Sequence, residues 1–143
     1  MWCWWKYKCS IAFGEQHQNI ANVIKIGVQL AIDYRGTIGV VARNDQGEFM
    51  GGCFRTIPSV SQVIIAEALA VREGMELAAK QGWCHLDVES DSQTLIKAIV
   101  GEFTVPLEID VVVEDIRTQG RLLDATFRYV RRGANNVAHL IAH

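Results

Sequence analysis

A chain of 143 residues, half of them apolar, is long enough for one domain with its own core and too short for two of ordinary size. Charged residues make up 21% and the formal net charge is −2, with a pI of about 6.1. No overall basic field is available, so any contact with nucleic acid has to be local. The basic side chains placed to make one are Arg128, Arg131 and Arg132 near the C-terminus, with Arg35, Arg43 and Arg55 scattered earlier. No apolar run approaches the roughly 18 residues of a membrane-spanning helix, and none is expected.

Residues 1–24 have no clear period. Trp2, Trp4 and Trp5 alternate with Lys6 and Lys8, which interrupt what would have to be the apolar centre of a signal peptide. This stretch reads as a leader, 25–143 as the domain, and an intracellular site, nuclear or cytoplasmic, as the location. Cys3, Cys9, Cys53 and Cys84 have neither metal-ligand spacing nor the density of a disulfide framework, which makes a reducing compartment the default.

From Lys25, apolar Ile26, Val28, Leu30 and Ile32 alternate with Gly27, Gln29, Ala31 and Asp33, the period of a half-buried strand. TIGVVARN (37–44) and EFMGGCFRTI (48–57) follow, joined through a tight turn at Asn44-Asp45-Gln46-Gly47. Together they predict three antiparallel strands. Val63 to Gln81 has helical spacing and a stop at Gly82, with Ser59 or Ser61 available as its cap. HLDVESD (85–91) predicts a short strand and SQTLIKAIV (92–100) a helix ending at Gly101. LEIDVVVEDIRTQG (107–120) predicts a helix, although its Val111–Val113 run also suits a strand. Both that run and Ile64–Ile65 are assigned to the core. ATFRYVRR (125–132) alternates as a strand, and NNVAHLIAH (135–143) opens a last, short helix. Strands separated by helices can lie parallel through right-handed crossovers, so the fold class is α/β with a mixed five-stranded sheet.

Glu67, inside AEALAVREG (66–74), and Asp91, where 85–91 ends, are acids in separate elements. Divalent-metal phosphodiester chemistry needs carboxylates converging from separate elements, because hard oxygen ligands hold the cations that stabilise attacking and leaving oxygens. Each acid also suits a plainer role: Asp91 as a helix N-cap and Glu67 as a solvated surface acid.

Four segments in order, GVVARNDQGEFMGG (39–52), AEALAVREGMELA (66–78), VESDSQTLIKAI (88–99) and RRGANNVAH (131–139), resemble the ribonuclease H fold. The likeness is to plant ribonuclease H-like domains that occur singly or at the ends of non-LTR retroelement polyproteins. The resemblance implies hydrolysis of the RNA strand of RNA–DNA hybrids by a monomer holding two Mg²⁺ or Mn²⁺ ions, with no membrane partner. It implies that Glu67 and Asp91 are metal ligands and that His139 stands at the fourth ligand position. It further implies that Asn135, Arg131 and Arg132 contact the nucleic acid. The family's first strand carries an Asp where this chain has Gln29. An amide oxygen can bind Mg²⁺ but brings no charge to offset the repulsion between two cations, so weakened cleavage is expected, or a noncatalytic binding module or retroelement remnant. Asp33 lies four residues further along, roughly 13 Å on a strand, and does not substitute for it.

Overall fold

In a computed structural model of the chain, the structure describes residues 24–31, 37–56 and 62–131. Strands β1 (Ile24–Ala31), β2 (Thr37–Arg43) and β3 (Phe49–Thr56) precede a long helix α1 (Val63–Gln81), strand β4 (Leu86–Ser90) and helix α2 (Gln93–Ile99). A 3₁₀ turn (Leu107–Ile109) then leads directly into helix α3 (Asp110–Leu122), and β5 (Ala125–Tyr129) follows. The sheet runs in the order β3-β2-β1-β4-β5. β1, β2 and β3 pair antiparallel, whereas β4 lies parallel to β1 and β5 parallel to β4. No helix among the described residues is long and apolar enough to cross a membrane.

Local chemistry explains most of these boundaries. The Asn44 side-chain oxygen accepts from the backbone N–H groups of Gln46 at 3.0 Å and Glu48 at 2.9 Å. It thereby closes the β2–β3 turn, and Gly47 supplies the left-handed residue at φ 79°. Gly82 ends α1 at φ 73°, its N–H donating to the carbonyls of Ala78 and Ala79; the Trp83 N–H donates to the Ala78 carbonyl at 2.9 Å, a Schellman-type stop. His85 and Asp124 are left-handed non-glycine residues at φ 59° and 52°, placed just before β4 and β5. Their side chains meet, His85 Nδ1 to Asp124 Oδ2, at 2.7 Å.

The helices lie against the sheet, α1 across β1 and β2 and both α2 and α3 against β5. Ile26, Ile38, Val40 and Val88 from the strands share one buried cluster with Val71 and Met75 of α1, Ile109 of the 3₁₀ turn and Ile116 of α3. On α1, Ala66, Ala68, Ala70, Ala78 and Ala79 are buried, while the larger Ile65 and Leu69 are only half-buried. Small side chains let the helix axis approach the strands closely, so the packing face is set by size as well as by period.

Four expectations need correction. The N-cap of α1 is Gln62, with no side-chain hydrogen bond, in place of Ser59 or Ser61. The fifth strand ends at Tyr129, short of 132. The Val111–Val113 run is helical, and Val111 is 73% exposed: successive residues on a helix are 100° apart, so three in a row cannot all face one core. Cys84 is disulfide-bonded, a departure from reduced thiols throughout. The leader, Ile32, Asp33 and the last helix lie outside the described residues.

Candidate active site

Strand directions decide which residues share an end of the sheet. β1, β3, β4 and β5 all point the same way, and only β2 runs against them. The carboxyl ends of those four strands therefore lie at one edge, and α1, which follows β3, begins at that edge. Glu67 opens the second turn of α1. Asp91 directly follows β4, and Arg131 comes two residues after β5. The β1–β4 ladder ends on the pair Val28 and Ser90, and Gln29 and Asp91 are the residues that directly follow those two in the chain. Ligand sites of open α/β sheets form at such an edge, outside the strand ends where helices begin.

Asp91 is not the cap of the helix that follows it. The N-cap of α2 is Ser92, whose hydroxyl accepts from the Leu95 N–H at 3.3 Å. The buried Ser90 hydroxyl accepts in turn from the Ser92 N–H at 3.1 Å. Two serines thus do capping work that the sequence left open to Asp91, which lies between them. Glu67 is half-buried, between the buried Ala66 and Ala68 in the chain. Glu67 and Asp91 both have interaction partners in the fold.

The basic residues divide into engaged and exposed. Arg128 on β5 donates to Asp87 at 2.5 Å and to Glu89 at 2.6 Å, both on the neighbouring β4. Arg55 on β3 pairs with Glu73 of α1 at 2.5 Å. Both guanidinium groups are already engaged by carboxylates, Arg128 within the sheet and Arg55 between sheet and helix. Arg131 is exposed at the site edge. Arg132, Asn135 and His139 lie outside the described residues.

The donor set sets a limit on metal binding. Two carboxylates and an amide oxygen suit one hard divalent cation. Two cations about 3.5–4 Å apart want a carboxylate shared between them, a demand that Gln29 in place of an acid does not meet. Among the described residues no three His, Cys, Asp or Glu side chains gather as a metal-binding group. The sequence had marked Glu67, Asp91 and Gln29 separately. What it did not reveal was the Ser90–Ser92 support on either side of Asp91, although the Ser-Asp-Ser spacing held that information.

Comparison with known proteins bears on the whole fold. Ribonuclease H1 from Halobacterium salinarum superimposes with a TM-score of 0.69 at 22% identity, covering 84% of this chain and 94% of that one. The N-terminal ribonuclease H domain of a Mycobacterium tuberculosis protein gives 0.76 at 16%, covering 85% and 91%. Ribonuclease H1 LC11, isolated from compost by a metagenomic approach and solved in complex with an RNA/DNA hybrid, gives 0.75 at 17%, covering 82% and 92%. At these identities the likeness establishes the ribonuclease H fold. No curated protein matches the chain. The reverse transcriptase-like family model matches residues 27–143. With a match that takes in every element from β1 onward, the chain belongs to the reverse transcriptase-like family of ribonuclease H-like domains.

Proposed function

We propose that this domain binds RNA–DNA hybrids and hydrolyses their RNA strand at a single divalent cation, Mg²⁺ or Mn²⁺, with turnover lowered by Gln29. The observation that supports the reading is that the carboxyl ends of β1, which holds Gln29, and of β4, which Asp91 follows, lie with the start of α1 toward one edge of the sheet. Glu67 and Asp91 would hold the cation, with the Gln29 amide oxygen as a weaker third donor. When bound, such an ion supplies Lewis-acid stabilisation of charge on the phosphoryl oxygens. The protein's own part is to fix the two carboxylates on rigid elements: α1 seated by its alanines, and the β4 end braced by Ser90 and Ser92.

Hybrid recognition in this reading falls to Arg131, Arg132 and Asn135. These are hydrogen-bond donors, suited to backbone phosphates and 2′-hydroxyls across a shallow minor groove. His139 would assist near the cation as a neutral imidazole. With Arg128 and Arg55 engaged by carboxylates, few phosphate contacts remain, so affinity should be modest and should fall with salt.

The Gln29 position also favours a second reading, a domain that binds hybrid without cutting it. One assay separates the two. Labelled RNA–DNA hybrid is incubated with Mg²⁺ or Mn²⁺ and the chain as it stands, Gln29→Asp, or Gln29→Asp with Asp91→Asn. We expect slow cleavage by the first and roughly a hundredfold gain in the second, the scale of one charge-stabilising group in a dry site. The third should cleave nothing. A folded Gln29→Asp protein that binds hybrid and leaves it intact would exclude the nuclease and keep the binding module.

A further inference from the structure

We propose that the junction between α2 and α3 is a docking surface for a basic amphipathic segment of another protein. This does not rest on the nuclease reading. Four large apolar side chains are exposed within a short length of chain: Val100 at 47%, Phe103 at 51%, Leu107 at 87% and Val111 at 73%. Leu107 stands in the 3₁₀ turn and Val111 in the first turn of α3, four residues later and likewise exposed. Neither can turn inward. Ile109, Val113 and Ile116 are fully buried on the opposite side, and rotating α3 to hide Val111 would lift them out of the core.

The junction is also rigid. Arg117 on α3 donates through Nε to the Ile99 carbonyl at 3.0 Å and through a terminal nitrogen to the Ala98 carbonyl at 2.6 Å. That clip holds the C-terminal end of α2, where Val100 sits, against α3. A preformed surface loses little freedom on binding.

Charge selects the occupant. Residues 100–116 contain five acids (Glu102, Glu108, Asp110, Glu114 and Asp115) and no Lys, Arg or His, although the whole chain balances 14 basic against 16 acidic residues. Glu114 pairs with Arg117 at 2.7 Å and Asp115 with Arg72 at 3.5 Å. Glu102, Glu108 and Asp110 form no ion pair among the described residues and are exposed. These exposed acids flank Phe103, Leu107 and Val111 in the chain, with Lys97 the one exposed cation of α2, and repel phosphate, so nucleic acid is the wrong occupant. A two-fold contact with a second copy would set acids against the same acids. The complement is a segment with apolar residues at helical spacing flanked by Lys or Arg, and Phe103 and Leu107 are the natural anchors for it.

The probe is a fluorescent synthetic helical peptide with leucines on one face and lysines on the other, titrated against the full chain by anisotropy. Its counterpart carries glutamates in place of the lysines. Leu107→Ser with Val111→Ser should weaken the lysine peptide about tenfold or more. Glu108→Lys with Asp110→Lys should transfer binding to the glutamate peptide. Both variants alter exposed positions, and circular dichroism melting verifies that they fold. Unchanged affinity in the serine variant, or indifference to the charge reversal, would reduce the effect to general attraction and overturn the proposal. So would competition by RNA–DNA hybrid, or a dimer in sedimentation that the serine variant dissolves.

Discussion

At the scale of single residues, position within a few ångströms separates chemistry from scaffolding. Ser92 accepts the Leu95 N–H and so relieves Asp91 of capping α2. Cys53 shows the same dependence on surroundings. Burial pushes its thiol above the ordinary range; Glu73 adds to the shift, Lys80 opposes it and Glu76 adds again. The thiolate is the reactive form, so Cys53 should be slow to alkylate. With iodoacetamide at pH 8, peptide mapping by mass spectrometry should find Cys53 modified several-fold more slowly in the folded chain than in urea, and equal rates would contradict the assignment. The sign of the linked stability follows. A thiol that holds its proton more tightly when folded contributes stability that is intact below the unfolded value near 8.5. That contribution is lost as pH rises through the higher folded value. Cys53→Ser should therefore flatten the alkaline fall of stability and leave the acid side unchanged.

Helices and strands here depend on a few ties that no periodicity announces. α2 is only seven residues long, too short to stand without packing, and the Arg117 fork on its terminal carbonyls is what joins it to α3. Arg117 is 26% exposed in its side chain, so these charge-assisted bonds are partly shielded from water. Arg117→Ala should cost about 2 kcal/mol, the scale of losing hydrogen bonds to a charged donor, seen as a lower midpoint in urea. Arg117→Lys should recover only part of it, because an ammonium cannot reproduce the two-pronged geometry. A neutral result for Arg117→Ala would mean the junction is held by packing alone, which would also weaken the case for a preformed α2–α3 surface.

The molecule as a whole shares one core between its helical layer and its sheet. Met75 lies fully buried in the middle of α1, in the same cluster as Ile26, Val40 and Ile116. Met75→Ala should therefore destabilise the fold as one unit, by about 2–5 kcal/mol, depending on how far neighbours collapse into the space. Urea unfolding followed by fluorescence and by circular dichroism should shift together with an unchanged slope. Non-coincident curves would show that the α2–α3 part unfolds separately from the three antiparallel strands.

Much of this architecture was legible in the residues. The period of two over Lys25–Ile32, the Asn44–Gly47 turn and the Gly82 stop each act over a few neighbours, and sequence records such local physics directly. Glu67 and Asp91 were recognisable as acids on separate elements for the same reason. The helix over 107–120 was legible, but not which of Val111–Val113 face inward; burial of Ile109, Val113 and Ile116 settled that and left Val111 outside. Nor could spacing alone relate Gln29 to Asp91, some sixty residues apart in the chain. Only the parallel β1–β4 register, which ends on Val28 and Ser90, brings their strand ends to one edge, and the direction of β3 starts the helix of Glu67 there. Sequence by itself determined the elements and the chemical kinds of the side chains, since those depend on short-range sterics and hydrogen bonding. Only the tertiary structure decided which ends meet and which apolar face stays uncovered, because both depend on long-range pairing and on a core that admits one orientation of each helix.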